Sequence, residues 1–285
     1  MKARAVAALK AEFPLSVLLG VAGLARSTYF YHQARQGRPD PRKPLKDAIA
    51  RAFKQARGRY GHRRVHAVLI RQGWKVAKKT VLALMREIGL VCGVRRRRNV
   101  YLSYRGQIGR TAPNVLDRTF TADAPARKWV TDVTEFSVGG TKIYLSPVID
   151  LFDRSVVAYS IGPSSSVRLT LSSLRGAITT LTEGQRPLVH SDQGFQYQHA
   201  SWRMLLDAHG MTQSMSRRGN CLDNAVIECF FGHLKSEIFQ SGRPETADQL
   251  VTSIEEYIHW YNTERIHTRL EGLSPVQYRA QALVA

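Results

Sequence analysis

The spacing of hydrophobic and polar positions changes along the chain at about residue 128. Before it, apolar residues recur at helical spacing, as in Val81, Leu84 and Ile88. After it, short runs rich in valine, isoleucine, tyrosine and threonine predict β-strands. The chain is therefore predicted to join an all-helical front half to a mixed α/β back half.

The back half predicts a mixed α/β order of elements. Three strands come first, broken by Gly139-Gly140 and by Asp153-Arg154, and alternating helices and strands follow. In chain order the predicted elements are strands 128–138, 142–152 and 155–162, helix 167–183, strand 188–191, helix 199–209, strand 211–216, a helix within 223–235 and a long helix at 246–267.

Two segments of the front half have the spacing of a helix-turn-helix. The first is a helix from Leu15, a glycine turn, and a second helix within Leu24–Tyr31 that is opened by Ser27 as its N-cap. A plain helical hairpin explains this segment equally well. As a DNA-reading element, it presents Arg26, Ser27, Thr28 and Tyr29 at the start of its second helix.

The second helical segment predicts helices over 45–57, around 60–73 and over 77–88, with Gly89 ending the last one. Its candidate DNA contacts are Arg63, Arg64, Lys75, Lys78 and Lys79. Together the patterns predict five regions: a helix-turn-helix at 1–36, a second helical DNA-binding module at 45–92, a basic linker at 93–127, an α/β core at 128–240 and a C-terminal helical extension at 241–285.

Charge is concentrated in the front half. The whole chain carries 42 Lys+Arg against 22 Asp+Glu, and residues 1–128 hold 29 of the bases but only 6 of the acids. Such a surface indicates a polyanionic partner, and double-stranded DNA fits it best. A solvated linker is one interpretation of the run Arg95, Arg96, Arg97 and Arg98, and a track for the DNA backbone is the favoured one.

Several other classes are disfavoured by the sequence. The three cysteines form no C-x-x-C pair, which indicates a reducing compartment. No stretch approaches the roughly 18 apolar residues of a membrane span, and no signal peptide is evident. The expected location is the cytoplasm, on DNA, without a membrane partner.

Three acidic residues of the back half are candidates for metal-dependent chemistry. Asp132 interrupts an apolar strand, Asp192 ends another, and Glu228 lies on a helix. A buried aspartate is costly unless it is paired or metal-bound, and carboxylate oxygens suit Mg²⁺. Taken singly, Asp192 also suits a turn and Glu228 a solvated helix face. Together the three predict a site for two Mg²⁺ ions, with Mn²⁺ as the alternative, and phosphoryl transfer as its reaction.

The helix that contains Glu228 adds a candidate contact for DNA. Asn224, Glu228 and Lys235 share one face, while Ile227 and Phe230 share the neighbouring face. Lys235 lies two turns from Glu228, so the two side chains do not neutralise each other as an i,i+4 pair would. Lys235 is therefore predicted to bind a phosphate close to the carboxylates, and a solvated surface lysine is the alternative.

The motifs resemble those of one known family. They are YGHRRV at 60–65, WVTDVTEF at 129–136, HSDQGFQY at 190–197, SMSRRGNCLDNA at 214–225, ECFFGHLK at 228–235 and YNTERIH at 261–267. The chain is similar to the second-frame (OrfB-type) product of IS-three family insertion sequences. The resemblance implies a ribonuclease H-like, retroviral-integrase-type core with a five-stranded mixed sheet. It also implies that Asp132, Asp192 and Glu228 form the metal-binding acidic triad of a DDE transposase.

The resemblance further implies element ends and target DNA as partners, and a homo-oligomer on DNA. In this family the full transposase is usually a fusion to a first-frame (OrfA-type) product with a helix-turn-helix and a leucine zipper. No such zipper is evident in this sequence. Two alternatives stay open: a catalytically silent DNA-binding regulator derived from a transposase, and a structure-specific nuclease on the same core.

Overall fold

The computed structural model describes residues 2–35, 38–94 and 110–284, and it divides the chain into two compact units, Met1–Ala48 and Ile49–Ala285. The first unit begins with three helices, α1 (Lys2–Leu9), α2 (Leu15–Ala22) and α3 (Arg26–Arg35). Their shared core contains Ala3, Val6, Leu19 and Tyr29. Helix α3 begins at Arg26, so Ser27 lies within its first turn, and the prediction of Ser27 as N-cap is wrong.

The second unit begins within α4 (Lys43–Gln55) and continues with α5 (His62–Arg71) and α6 (Lys78–Glu87). Val65 and Leu69 of α5 and Val81 and Leu84 of α6 are buried, as the helical spacing predicts. Gly89 has a φ of 72°, the left-handed conformation that ends α6.

The strands are β1 (Lys128–Thr131), β2 (Thr134–Val138), β3 (Thr141–Asp150), β4 (Val156–Gly162), β5 (Leu188–Ser191) and β6 (Thr212–Met215). Both β1 and β2 pair antiparallel with β3 in one continuous register, Trp129 opposite Asp150 and Thr134 opposite Leu145. They are therefore two segments of one predicted strand, interrupted at Asp132 and Val133. The six segments occupy five positions in a mixed sheet, which confirms the predicted ribonuclease H-like fold class.

The helices of the back half are α7 (Val167–Ile178), α8 (Phe195–Gln198), α9 (Ala200–Ala208), α10 (Ala225–Glu237), α11 (Ala247–Thr263) and α12 (Pro275–Val284). They cover both faces of the sheet. Leu174 of α7 and Trp202 of α9 share a core with Trp129 and Val148. On the other face, residues of α10 and α11 pack with Val130 and Leu145. The alternation of neighbouring residues between the two cores follows from the period of two along a strand.

Two segments outside the predicted core are packed onto it. Leu116, within the predicted linker, is 1% exposed, and α11, within the predicted C-terminal extension, buries Leu250, Ile254 and Tyr257. The division into five regions stays a prediction. No helix in the described ranges is both long and apolar enough to cross a bilayer.

Candidate active site

Asp132 and Asp192 follow two neighbouring parallel strands. Strands β1 and β5 pair with Lys128 opposite Leu188 and Val130 opposite His190. Asp132 comes directly after β1, and Asp192 comes directly after β5. Because the same register continued by two residues sets Asp132 beside Asp192, both carboxyl groups lie at one edge of the sheet, where sheet proteins commonly bind ligands.

Helix α10 brings Glu228 towards this edge. Its residues Ile227, Phe230 and Leu234 are buried in the core that also contains Val130 of β1. This packing confirms the predicted inner face of the helix and leaves Glu228 on the face towards the aspartates. The electrostatic interaction of Glu228 with Asp192 agrees with this arrangement.

All three carboxyl groups are held in surroundings that disfavour their charge. Burial raises the pKa of Asp132 well above its usual value, and the charge of Asp192 raises it further. Burial also raises the pKa of Asp192, while the backbone N–H of Gly194, 2.8 Å from its Oδ1, opposes the shift. The pKa of Glu228 is raised by burial and then by Asp192. Buried carboxyl groups with raised pKa values that act on one another are typical of a functional site.

The donor set fits a divalent cation, although the side chains do not enclose one. Across the described ranges, no three His, Cys, Asp or Glu side chains are close enough together to form a metal cage. Oδ1 of Asp132 accepts from the N–H of Val133 at 2.7 Å. Oε1 of Glu228 and the amide of Asn224 are buried and have no hydrogen-bond partner among the described residues. Buried polar atoms without a partner are compatible with a bound ligand, and hard carboxylate oxygens suit Mg²⁺.

Lys235 is half-buried and lies close to the same edge of the sheet. Its Nζ is 5.4 Å from the centre of the Phe136 ring, an arrangement that favours a cation. Burial lowers the pKa of Lys235, and the charges of Glu135 and Asp132 oppose the shift. The half-buried lysine is thus near the acidic edge, as its spacing from Glu228 predicts.

In the first unit, three of the four candidate DNA contacts are exposed to solvent and could bind DNA. Arg26, Ser27 and Thr28 are exposed. Tyr29 is 2% exposed, and its hydroxyl accepts a hydrogen bond from Gln33 at 3.1 Å. A ring in the helical core cannot reach a DNA groove, so the prediction of Tyr29 as a DNA contact is wrong.

In the second helical segment, Arg63, Lys75, Lys78 and Lys79 are exposed. Arg64 is directed inward instead, with its Nη1 3.5 Å from Oε1 of Glu237. Because this guanidinium is engaged by a buried carboxylate of the same unit, Arg64 is better explained as a structural residue than as a DNA contact. The predicted contacts Arg95, Arg96, Arg97 and Arg98 lie outside the described residues.

Sequence reasoning missed a buried histidine that fixes the strand before Asp192. Ser214 Oγ accepts from the backbone N–H groups of Val115 and Leu116 at 2.9 and 3.0 Å and is 2.8 Å from His190 Nδ1. With both lone pairs used, the hydroxyl donates to Nδ1, so His190 carries its proton on Nε2 and donates to Ser216 at 3.1 Å. Burial lowers the pKa of His190 to about 4, so the ring is neutral and β5 and β6 stay linked.

The raised pKa values predict that Asp132→Asn stabilises the metal-free protein. A carboxyl group with a folded pKa above its unfolded pKa stabilises the fold at low pH, and this contribution is lost as the pH rises through the folded pKa. At pH 7.5 the variant should therefore melt higher, by about 2–4 °C for each kcal/mol gained. Mg²⁺ should raise the melting temperature of the parent chain more than that of the variant.

Differential scanning fluorimetry with and without Mg²⁺ measures both effects. Asp207→Asn is the matched control, because Asp207 is exposed on α9. A melting temperature of the Asp132 variant below that of the parent, together with equal responses to Mg²⁺, would contradict the site.

Comparison with known proteins agrees with this geometry. Residues 122–221 and 228–283 each match an "Integrase core domain" model, and residues 40–98 match an "HTH-like domain" model. The fold and the site therefore define an integrase-type core preceded by a helix-turn-helix-like region.

Curated relatives identify the family. Over 273 residues the chain is 45% identical to the "Putative transposase InsK for insertion sequence element IS150" of Escherichia coli (strain K12), with 96% of each chain covered. It is 31% identical over 279 residues to the "Transposase InsF for insertion sequence IS3A" of the same strain, again with 96% of each chain covered. The chain belongs to the IS3 (IS-three) family of insertion-sequence transposases.

Two solved viral structures are among the structural matches to this chain. The HTLV-2 integrase catalytic core domain in complex with magnesium is 18% identical, with a TM-score of 0.45 over 55% of this chain and 99% of that chain. A chain of the simian T-cell lymphotropic virus intasome in complex with PP2A regulatory subunit B56 gamma is 19% identical, with a TM-score of 0.49 over 75% of this chain and 69% of that chain.

Proposed function

We propose that this transposase is a DDE enzyme that cleaves DNA at the ends of its element and joins the freed ends to target DNA. The observation that carries the proposal is the convergence of Asp132 and Asp192, each following one of two adjacent parallel strands, with Glu228 of α10 at the same edge. These residues would hold two Mg²⁺ ions, with Mn²⁺ as a substitute. The bound ions would activate the attacking oxygen and stabilise the leaving oxygen.

The protein contributes position and charge. Asp132 and Asp192 are fixed by the backbone hydrogen bonds of Val133 and Gly194, so their carboxyl groups need little rearrangement on binding DNA. Lys235 would bind a phosphate beside the reacting one, since Phe136 holds its ammonium near the carboxylates. Element ends would be bound by Arg26, Ser27 and Thr28 of α3 and by Arg63, Lys75, Lys78 and Lys79 of the second helical segment.

The reaction also bears on assembly and location. Because two element ends must be joined to one target, the active form would be a homo-oligomer on DNA, with a first-frame (OrfA-type) product as a fusion or partner. Its place of action would be the bacterial cytoplasm, on the nucleoid.

A strand-transfer assay tests the proposal. Purified chain is incubated with Mg²⁺, a supercoiled target plasmid and short duplexes that carry the inverted repeats flanking its own gene. The expected result is joined product whose formation requires Mg²⁺ and the correct end sequence. Cleavage without joining would indicate the structure-specific nuclease, and DNA binding with neither reaction would indicate the silent regulator.

A further inference from the structure

We infer that Arg118 and Arg217, held by the buried carboxylate of Asp223, form a second binding site for DNA phosphate. This site lies beside the edge of the sheet where Asp132 and Asp192 lie, which is called the catalytic edge below. The inference rests on the proposed function, because it takes DNA as the bound partner. Neither arginine belongs to the helical DNA-binding segments that the sequence predicts.

Asp223 is a completely buried anion surrounded by donors. Its Oδ1 accepts from Arg118 Nε at 2.8 Å and from Arg217 Nη2 at 2.9 Å. Its Oδ2 accepts from Arg217 Nε at 2.8 Å, from the Arg217 backbone N–H at 3.0 Å and from Asn114 Nδ2 at 3.0 Å. The hydrogen bonds of Arg217 hold the pKa of Asp223 well below its usual value, so the group is ionised. The carboxylate of Asp223 thus positions two guanidinium groups.

The two guanidinium groups keep an outer side for a ligand. The side chains of Arg118 and Arg217 are 43% and 51% exposed, whereas Asp223 is 0% exposed. Asp223 takes Nε of Arg118 and both Nε and Nη2 of Arg217. The N–H groups on Nη1 and Nη2 of Arg118 and on Nη1 of Arg217 remain for an anion. Asp117 is 3.7 Å from Arg217, but it is 75% exposed, so salt and water weaken this pair.

The site is linked directly to the catalytic edge. The backbone N–H of Ser216, the residue before Arg217, donates to the carbonyl of Ser191 at 2.9 Å. Gln193 Nε2 donates to the carbonyl of Ser216 at 3.0 Å. Asp192 is thus flanked by two residues that bond to the residue before Arg217. On the other side, Asp223 lies in a short 3-10 turn, Cys221–Asn224, that leads directly into α10 and Glu228.

The chemistry of the site indicates a phosphodiester. Planar guanidinium groups bind two phosphate oxygens at once, and a carboxylate behind them fixes their orientation before binding. A contact of this kind positions the DNA backbone without reading its sequence. A strand that enters the catalytic edge would therefore be held by Lys235 on the Glu228 helix and by this arginine pair beside it.

DNA binding in the joining-deficient Asp132→Asn background tests the site without catalysis. Arg118→Gln and Arg217→Gln should each weaken binding of a duplex carrying the element end about tenfold. The slope of log affinity against log salt should fall by about 0.9 for each lost phosphate contact. Arg217→Lys keeps the charge but not the planar fork, so its DNA affinity should lie between those of the parent and Arg217→Gln. Arg175→Gln, on the exposed surface of α7, is the control and should bind like its parent.

A chemically modified duplex locates the contact. Single methylphosphonate substitutions remove the charge of one phosphate at a time. At one position near the reacting end, the modification should weaken binding by the parent but cause no further loss in Arg217→Gln. Asp223→Asn should weaken binding although both arginines remain, and its melting temperature shows whether it is folded.

The outcomes separate this inference from the proposed function. If Arg118→Gln and Arg217→Gln bind with the parent's affinity and salt slope, or lose no more than Arg175→Gln, the site is wrong even when wild-type protein joins DNA. If the arginine variants lose binding as expected while wild-type protein never joins, the site stands and the proposed function fails. Failure of the parent to bind any DNA overturns both.

Discussion

Asp132→Asn, Asp192→Asn and Glu228→Gln should each reduce cleavage and joining by at least about 10³-fold, while DNA affinity changes by no more than about twofold. Loss of a single charge-stabilising group from an active site typically costs about 10²–10³ in rate, and a metal ligand supplies both charge and position. DNA affinity comes mainly from phosphate contacts elsewhere on the protein, so it should persist. Single-turnover strand transfer and fluorescence anisotropy on the same end duplex measure the two quantities.

The three substitutions preserve side-chain size, so packing alone does not explain a loss. Asp207→Asn, an exposed change of the same kind on α9, should retain full activity. Joining at near the parent rate in any one of the three variants would remove that residue from the site. A parallel loss of DNA binding would instead indicate that the carboxylate supports the DNA-binding surface.

Arg265→Leu should destabilise the Ile49–Ala285 unit by about 3–5 kcal/mol, the typical cost of leaving one partner of a buried ion pair alone. Arg265 and Glu237 are each 1% exposed, and Arg265 donates through Nη2 and Nε at 2.7 and 2.8 Å. Burial by itself would raise the pKa of Glu237, but the hydrogen bonds and charge of Arg265 hold it below its usual value. Urea unfolding at pH 7.5, followed by tryptophan fluorescence, measures the loss.

A double-mutant cycle separates the ion pair from packing. Glu237→Gln combined with Arg265→Leu removes both charges, so the double variant should be more stable than the sum of the single losses predicts. Arg57→Gln is the control, because its contact with Glu256 is 3.7 Å long and more than half exposed on both sides. That change should cost less than about 1 kcal/mol. Equal losses of unfolding free energy for Arg57→Gln and Arg265→Leu would refute the distinction between the exposed and the buried ion pair.

The ion pair between Arg265 and Glu237 gives a structural role to the motif YNTERIH at 261–267, one of the motifs in which the chain resembles the family. Asn262 bonds both the N–H and the carbonyl of Val156 at 2.9 Å, while Arg265 binds the last residue of α10. Tyr60, which lies between α4 and α5 of the second helical segment, accepts from the N–H of Ile266 at 2.8 Å. The motif therefore holds the Glu228 helix, β4 and the helical segment together, and its residues serve positioning rather than chemistry.

Local patterns predicted most elements of the described chain. The inner face of α10, the strand before Asp192 and the left-handed Gly89 all follow from periodicity or from a single residue type. Helices α1 and α12 were missed, because both are short and bury few residues, Ala3 and Val6 in α1 and Pro275 in α12. Leu116 was assigned to a linker, since nothing near it in the sequence reveals the Ser214 hydroxyl that its N–H contacts.

The candidate site was identified from residue types and motif resemblance, whereas its geometry depends on contacts between residues far apart. The sequence by itself determined the basic front half and most strand and helix positions, and it singled out Asp132, Asp192 and Glu228 as candidates. The tertiary structure alone decided that Tyr29 is buried, that Arg64 faces Glu237, and that Asp223 collects Arg118 and Arg217. The reason is physical: periodicity records which face of an element avoids water, but the partner of a buried charge is chosen by packing across the chain.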